Sequence, residues 1–293
     1  MGPGDDAAVV RPASRPLLLT VDALCEGTHF RSTWLTPAAL GRRAFLVNAS
    51  DLAAMGGRPT FALLAVEAPG SYPVARLDAL VGGFAAAARR SGARLVGGNL
   101  TAGRRLALTV TLLGEAPGRV VTRAGGRAGD ALYVTGRLGA SALAVRRLAG
   151  GRRGALPALP SRLDAGPLLA RVASAMIDVS DGLVQDLGHL CRASGVAADL
   201  ELACVPVAPA CRRALGAGAE KFAATGGEDY ELLFAVPARR VAALARLAPR
   251  LGCRLTRIGR LRRGRPGVRV LDADGRPVRL ARAGFDHFQA GRR

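Results

Sequence analysis

Two short apolar stretches near the start of the chain, residues 7–10 and 17–21, are separated by Arg11-Pro12-Ala13-Ser14-Arg15-Pro16. Pro and Ser in the intervening run give it the chemistry of a turn, so the whole reads as a β-hairpin. A hairpin centred near Ser14 sets Asp6, just before the first strand, opposite Asp22, at the end of the second. Like charges directly across a strand pair destabilise a sheet. At ~4 Å and an effective dielectric near 20 the repulsion is roughly 4 kcal/mol. A fold that keeps this pair needs a cation beside it. Oxygen-only ligands select a hard ion, Mg²⁺ above all.

The other acidic groups fall in similar places. Thr36 is a candidate N-cap with Pro37 at the first helical position, and the helix that follows stops at Gly56-Gly57. Within it, Ala44, Asn48, Asp51 and Met55 share one face, which puts Asn48 and Asp51 in an apolar stripe. A buried carboxylate needs a partner or a metal; the alternative is an internal hydrogen bond with Asn48 or Ser50. Residues 60–66 read as a strand, 74–90 as a helix, and 94–96 as a strand running into a Gly-rich loop over 97–103. Such loops let backbone N–H groups approach phosphate, although a plain turn has the same composition. Residues 106–113 form a further strand, and the turn-rich stretch 117–129 marks a boundary. The expected domains are 1–118 and 119–293. In the second, residues 131–135 read as a strand, 138–148 as a helix, and 150–160 as a mobile Gly/Pro/Arg linker. A helix near 163–174 precedes a short buried strand at 175–177, whose C-terminal end carries Asp178, with Ser180 and Asp181 at the start of the next helix. Ligands gather at such strand ends in α/β sheets. Strands at 196–202, 232–236 and 253–258 and a helix at 238–247 complete an α+β chain.

The length of 293 residues suits two domains, and a 49% hydrophobic but 4% aromatic composition means aliphatic side chains fill the cores. Formal net charge is +20, carried almost wholly by Arg, since Lys221 is the only Lys. The Arg residues are scattered and no aromatic-interleaved basic run occurs, which disfavours nucleic-acid binding. A positive field would attract nucleotides and phosphorylated metabolites. Five Cys without a CxxC pair argue against zinc or a disulfide framework and fit a reducing cytosol. No signal segment or membrane-length apolar run is visible, so a soluble cytoplasmic protein is expected. There is no GxxxxGK[ST] and no kinase-like HRD or DFG set. Yet Asp5, Asp6, Asp22, Asp51, Asp178, Asp181, Glu228 and Asp229 stand at strand ends, in Gly-flanked loops or on one helical face. That pattern suggests a multi-metal nucleotide site in which metals take over the charge neutralisation a P-loop Lys would share.

Gly4-Asp5-Asp6, Thr20-Val21-Asp22, Gly27-Thr28-His29-Phe30, Val47-Asn48-Ala49-Ser50-Asp51, Gly97-Gly98-Asn99, Asp178-Val179-Ser180-Asp181-Gly182, Gly226-Gly227-Glu228-Asp229-Tyr230-Glu231 and Phe285-Asp286-His287-Phe288 stand in order along nearly the whole chain. The series resembles the thiamine-monophosphate kinase family of the AIR-synthetase-like superfamily. The resemblance implies an AIR-synthetase-like two-domain fold: an N-terminal α/β domain whose strands form a barrel across a homodimer, a C-terminal α/β domain, and ATP bound between them. It implies direct in-line transfer of the γ-phosphoryl group of ATP to thiamine monophosphate, without a phosphoenzyme. The acceptor is already anionic, so no general base is needed. Asp6, Asp22 and Asp51 look like Mg²⁺ ligands, with Thr20 and Val21 adding oxygens; Asp178 and Asp181 resemble further Mg²⁺ ligands. Gly98, Asn99, Arg123 and Ser180 look like ATP contacts, and His29, Glu228 and Phe285 like substrate contacts. From the residues alone, His29 is an ordinary loop histidine and Phe285 a core aromatic. Two departures stand out. The chain starts almost at Gly4-Asp5-Asp6, where many members carry a preceding helical segment. Asn99 stands where many have Asp, so a metal position there would lose a charge. The competing readings are another ATP-dependent enzyme of the superfamily, acting on an oxygen or selenium acceptor, and a non-catalytic basic nucleic-acid-binding protein.

Overall fold

Alternating burial along three long strands organises the first half of the chain. In the computed structural model, which describes residues 8–10 and 15–285, the chain divides into two compact units. The first is Met1–Val120 together with Leu148–Pro167. Its elements are β1 (Ala8–Val10), β2 (Leu17–Cys25), α1 (Pro37–Ala54), β3 (Arg58–Ala68), α2 (Val74–Arg90), β4 (Arg94–Ala102) and β5 (Ala107–Glu115). The strands form one sheet in the order β1-β2-β5-β3-β4, antiparallel except for β3 and β4. Leu18 and Leu24 of β2, Leu64 and Val66 of β3, and Leu108, Val110 and Leu112 of β5 are buried on alternate positions. α1 and α2 pack against each other, with Phe45 and Phe84 edge-to-face at 5.6 Å. The Thr36 side chain accepts from the N–H of Ala39, so the expected cap and Pro37 start are both present.

The hairpin is present: Ala8 lies opposite Leu19 and Val10 opposite Leu17. Asp5 and Asp6 lie outside the described residues. Two expectations are corrected. The Gly-rich stretch expected as a loop is the body of β4, with Gly98 opposite Leu64 and Asn99 opposite Ala65. A Cβ on Gly98 would run into the Leu64 carbonyl, so glycine here serves close strand approach. The stretch expected as a mobile linker packs into the first unit: Leu156 and Leu159 are buried, and the Leu156 N–H donates to the Trp34 carbonyl.

The second unit is Val121–Arg147 with Leu168–Arg293. From residue 121 the chain runs through β6 (Ala131–Thr135), α3 (Ala140–Ala149), α4 (Ala165–Leu169), β7 (Ala175–Val179), α5 (Leu183–Ser194), β8 (Ala197–Glu201), α6 (Pro209–Leu215), α7 (Ala219–Thr225), β9 (Glu231–Val236), α8 (Val241–Leu247), β10 (Leu255–Arg262) and β11 (Gly267–Leu271), with the end of α3 and the start of α4 counted in the first unit. The sheet order is β11-β8-β10-β6-β9-β7, and only β11 and β8 are parallel. β7 and β9 are buried at every position, and α5 packs against the sheet with Leu183, Leu187 and Leu190 in the core. Part of the Arg excess is structural: buried Asp199 of β8 accepts from Arg262 of β10 at 2.9 Å and from both Nε and Nη2 of Arg269 of β11. Among the described residues, no helix is long and apolar enough to cross a membrane.

Candidate functional site

In the first unit, β2 aims Thr20 and Asp22 to one side and Val21 to the other, following the two-residue period of a strand. Thr20 is buried and donates its hydroxyl to Asp51 Oδ2 on α1 at 2.6 Å, whereas Val21 is 65% exposed. Asp22 accepts the N–H of Ala23 at 2.7 Å. One turn before Asp51, Asn48 is fully buried; its Nδ2 donates to the Ala44 carbonyl, and its Oδ1 has no hydrogen-bond partner. Thr20, 31 residues earlier on β2, is thus a hydrogen-bond partner of Asp51. In the loop after β2, His29 Nδ1 accepts from the N–H of Cys25 at 3.0 Å, which leaves the ring proton on Nε2. Gly98 and Asn99 stand on the edge strand β4, beside an apolar recess of about 240 Å³ lined by Leu64, Val66, Leu77 and Val81.

In the second unit, β7 ends at Val179 and the chain turns through Ser180, Asp181 and Gly182 into α5. Asp186 holds that turn. Its Oδ2 accepts three backbone N–H groups, from Ser180 at 3.1 Å, Asp181 at 3.2 Å and Gly182 at 3.0 Å. Burial, then the charges of Asp178 and Asp181, push the Asp186 carboxyl well above the usual carboxylate range, opposed by the N–H groups of Gly182 and Asp181. Asp181, Asp186 and His189 offer ligand atoms within 4.8 Å of one another, a set able to hold a cation. Burial, Arg192 and Arg123 lower the His189 pKa, while Asp181 raises it. Arg123 is anchored through its carbonyl, which accepts the Ser194 hydroxyl at 2.7 Å.

A second loop is stitched to the first. The Glu228 N–H donates to the Ser180 carbonyl at 2.7 Å and the Tyr230 N–H to the Val179 carbonyl at 2.8 Å. Glu228 and Tyr230 have φ of 70° and 50°, a left-handed conformation that costs a non-glycine residue on the order of 1 kcal/mol or more. Buried Asp229 between them takes the Gly139 N–H on both carboxylate oxygens, at 2.9 and 3.0 Å, and the Tyr230 hydroxyl reaches Glu228 Oε1 at 3.3 Å. Burial, then Glu231 and Glu228, raise the Asp229 pKa well above the usual range, against the Gly139 N–H. The C-terminal stretch closes on the same turn: the Phe285 N–H donates to the Asp181 carbonyl at 3.0 Å. The sequence-predicted residues Asp178, Ser180, Asp181, Glu228 and Phe285 thus gather around the end of β7.

Residues 4–116 match the AIR synthase related protein N-terminal domain, and residues 127–271 match its C-terminal domain. The chain is 36% identical over 303 residues to the thiamine-monophosphate kinase of Salmonella typhimurium, covering 98% of this chain and 91% of that one. It is 39% identical over 245 residues to the thiamine-monophosphate kinase of Mycobacterium tuberculosis, covering 80% and 74%. The solved complex of AaThiL with AMPPCP and TMP superposes with a TM-score of 0.86 at 34% identity, covering 97% of this chain and 91% of that one. The chain belongs to the thiamine-monophosphate kinase family. The family resemblance seen in the motifs is therefore borne out, as is the two-domain AIR-synthetase-like fold.

Within this thiamine-monophosphate kinase fold, the residues that sequence reasoning passes over are the ones that hold loops rather than line them. Asp186 reads as an ordinary acid in the first turn of a helix, where the helix dipole favours it. Gln185 reads as a solvated helical residue. Asp229 stands out within the acidic Gly226-to-Glu231 motif, but nothing in the sequence pairs it with Gly139, 90 residues earlier.

Proposed function

We propose that this chain transfers the γ-phosphoryl group of ATP directly to thiamine monophosphate, giving ADP and thiamine diphosphate. A phosphate oxygen of the acceptor forms the new bond to the γ-phosphorus as the bond to the β,γ-bridging oxygen breaks. The observation that carries the reading is the stitched pair of loops in the second unit, in a chain whose relative is solved with an ATP analogue and TMP. One loop carries Ser180 and Asp181 and the other Glu228, and Phe285 is bonded to the first. We assign Glu228, Phe285 and His29 to the thiamine substrate, and Ser180, Arg123, Gly98 and Asn99 to ATP. A carboxylate near the positive thiazolium and an aromatic side chain for the rings suit that substrate.

Asp6, Thr20, Val21, Asp22, Asp51, Asp178, Asp181 and Asn99 are assigned to Mg²⁺. The donor chemistry fits: the set is oxygen-rich, and Asp51 and Thr20 are already brought to 2.6 Å. Bound Mg²⁺ would supply charge neutralisation on the triphosphate. The chain's own residues orient the two phosphates and hold the loops still; no side chain is required to take a proton. We further propose a homodimer built on the first unit. Val21, Phe61 and Leu63 are exposed apolar residues on the sheet, and β4 ends it with an unpaired edge. An enzyme drawing on ATP and a thiamine phosphate is placed in the cytoplasm, with no role for nucleic acid or membrane.

The test is product analysis with ATP, Mg²⁺ and either thiamine monophosphate or unphosphorylated thiamine. Stoichiometric ADP and thiamine diphosphate from the monophosphate, and no turnover with thiamine, is the expected result. ADP formation independent of the thiamine phosphate would overturn the reading.

A further inference from the structure

Gln185 lies in the first turn of α5 and bridges two separate segments of the second unit. Its single amide nitrogen donates to Asp181 Oδ2 at 3.0 Å and to the Phe285 carbonyl at 2.8 Å. Both partners are pure acceptors, so the nitrogen must face them. The Phe285 N–H returns the contact by donating to the Asp181 carbonyl at 3.0 Å. The approach is tight. A Cβ on Gly284 would lie 2.7 Å from Gln185 Cβ and Oε1 and 2.8 Å from the Asp181 carbonyl oxygen, so the segment seats only because residue 284 lacks a side chain.

We propose that Gln185 is a positioning residue that couples divalent-cation binding at Asp181 to thiamine monophosphate binding at Phe285. The proposal rests on the roles given above to Asp181 and Phe285. One amide fixes both the Asp181 carboxylate and the backbone that carries Phe285, so a cation that locks the carboxylate also locks the segment. Coupling of this kind is reciprocal: the cation tightens the thiamine substrate by the same factor as the substrate tightens the cation. Gln185 touches neither reactant's reacting atoms in this role; it acts through its two partners.

The test compares the wild-type chain with Gln185→Leu, which keeps bulk and removes the donors, and Gly284→Ala, which keeps Gln185 and displaces the segment. Thiamine monophosphate is titrated calorimetrically in the presence of AMPPCP at several Mg²⁺ concentrations. Wild type should bind more tightly as Mg²⁺ rises. Each variant should bind roughly five- to twentyfold more weakly at saturating Mg²⁺, the scale of one or two lost hydrogen bonds, with little remaining Mg²⁺ dependence. AMPPCP affinity should change less than about twofold, which a general loss of structure would not allow. Hydrogen exchange at the Phe285 amide supplies a readout without turnover: Mg²⁺ should slow it in wild type and leave it unchanged in both variants. Unaltered thiamine affinity and Mg²⁺ dependence in the variants would overturn the proposal. So would a Phe285 amide indifferent to Mg²⁺ in wild type. If the kinase reading itself were wrong, wild type would fail to bind thiamine monophosphate at all, while the exchange experiment would still show whether the cation locks the Phe285 segment through Gln185.

Discussion

Replacing Asp186 with Ala tests the loop architecture of the second unit most sharply. The substitution removes the acceptor for three backbone N–H groups in a turn packed against β7 and the loop bearing Glu228. Hydrogen bonds to a charged acceptor contribute about 1.5–3 kcal/mol each, and a buried N–H left unpaired costs about 1–3 kcal/mol. Against that loss stand two gains: the burial penalty of the carboxylate disappears, and so does its repulsion with Asp178 and Asp181. Water can also reach part of the vacated turn, since Ser180 and Asp181 are only half-buried. The balance is a destabilisation of about 2–4 kcal/mol, or a fall in Tm on the order of 5–15 °C for a unit of this size. Asp186→Asn keeps an acceptor oxygen and loses the charge, so it should stay within about 1 kcal/mol of wild type. Thermal unfolding by circular dichroism, without Mg²⁺, gives both numbers. An Ala variant as stable as wild type, or an Asn variant as damaged as the Ala variant, would refute the idea that a charged-or-polar acceptor holds this turn.

Asp229 carries a raised pKa in the folded state, so the native chain keeps a proton that the unfolded chain releases over a window opening at the ordinary value of 3.8. Stability from this group is therefore lost as pH rises through that window and stays lost above it. Asp229→Asn should show a flatter Tm profile above the ordinary carboxylate value of 3.8, gaining on wild type as pH rises; parallel profiles would refute the assignment. Gly98→Ala forces β4 away from the Leu64 carbonyl and should cost about 1–3 kcal/mol, whereas at Gly97 the nearest atom is the end of the Leu63 side chain, 3.3 Å away, which can yield. Equal Tm values for the two Ala variants would contradict the strand geometry. Glu228→Ala should raise KM for thiamine monophosphate at least tenfold while leaving KM for ATP nearly unchanged; an equal rise in both would show that Glu228 does not discriminate the substrates.

Elements with strong local signals are legible in the amino-acid sequence. α2 covers the residues expected of it, and α1 begins at its Thr36-Pro37 cap. Elements with weak or misleading local signals are not. α6 and α7 are seven residues each, too short for a convincing helical period, and β11 is a five-residue strand interrupted by Arg269. The glycines of β4 read as a turn because the crowding that requires them comes from β3, 30 or so residues earlier in the chain. The segment around Leu156 has linker composition, yet its leucines find a core that only the folded first unit provides. At the site, acids beside Gly-rich motifs are conspicuous. Asp186 and Gln185 are not, because their importance lies in backbone groups they gather from turns and from a segment 100 residues away.

The proposed function requires that the chain's carboxylates hold a triphosphate through Mg²⁺. AMPPCP binding, titrated with and without Mg²⁺ for wild type, Asp51→Asn and Asp178→Asn, measures it directly. Tight binding is expected only with Mg²⁺, weakened at least tenfold by either substitution. Binding that ignores Mg²⁺, or that survives the loss of Asp51 or of Asp178 unchanged, would contradict it.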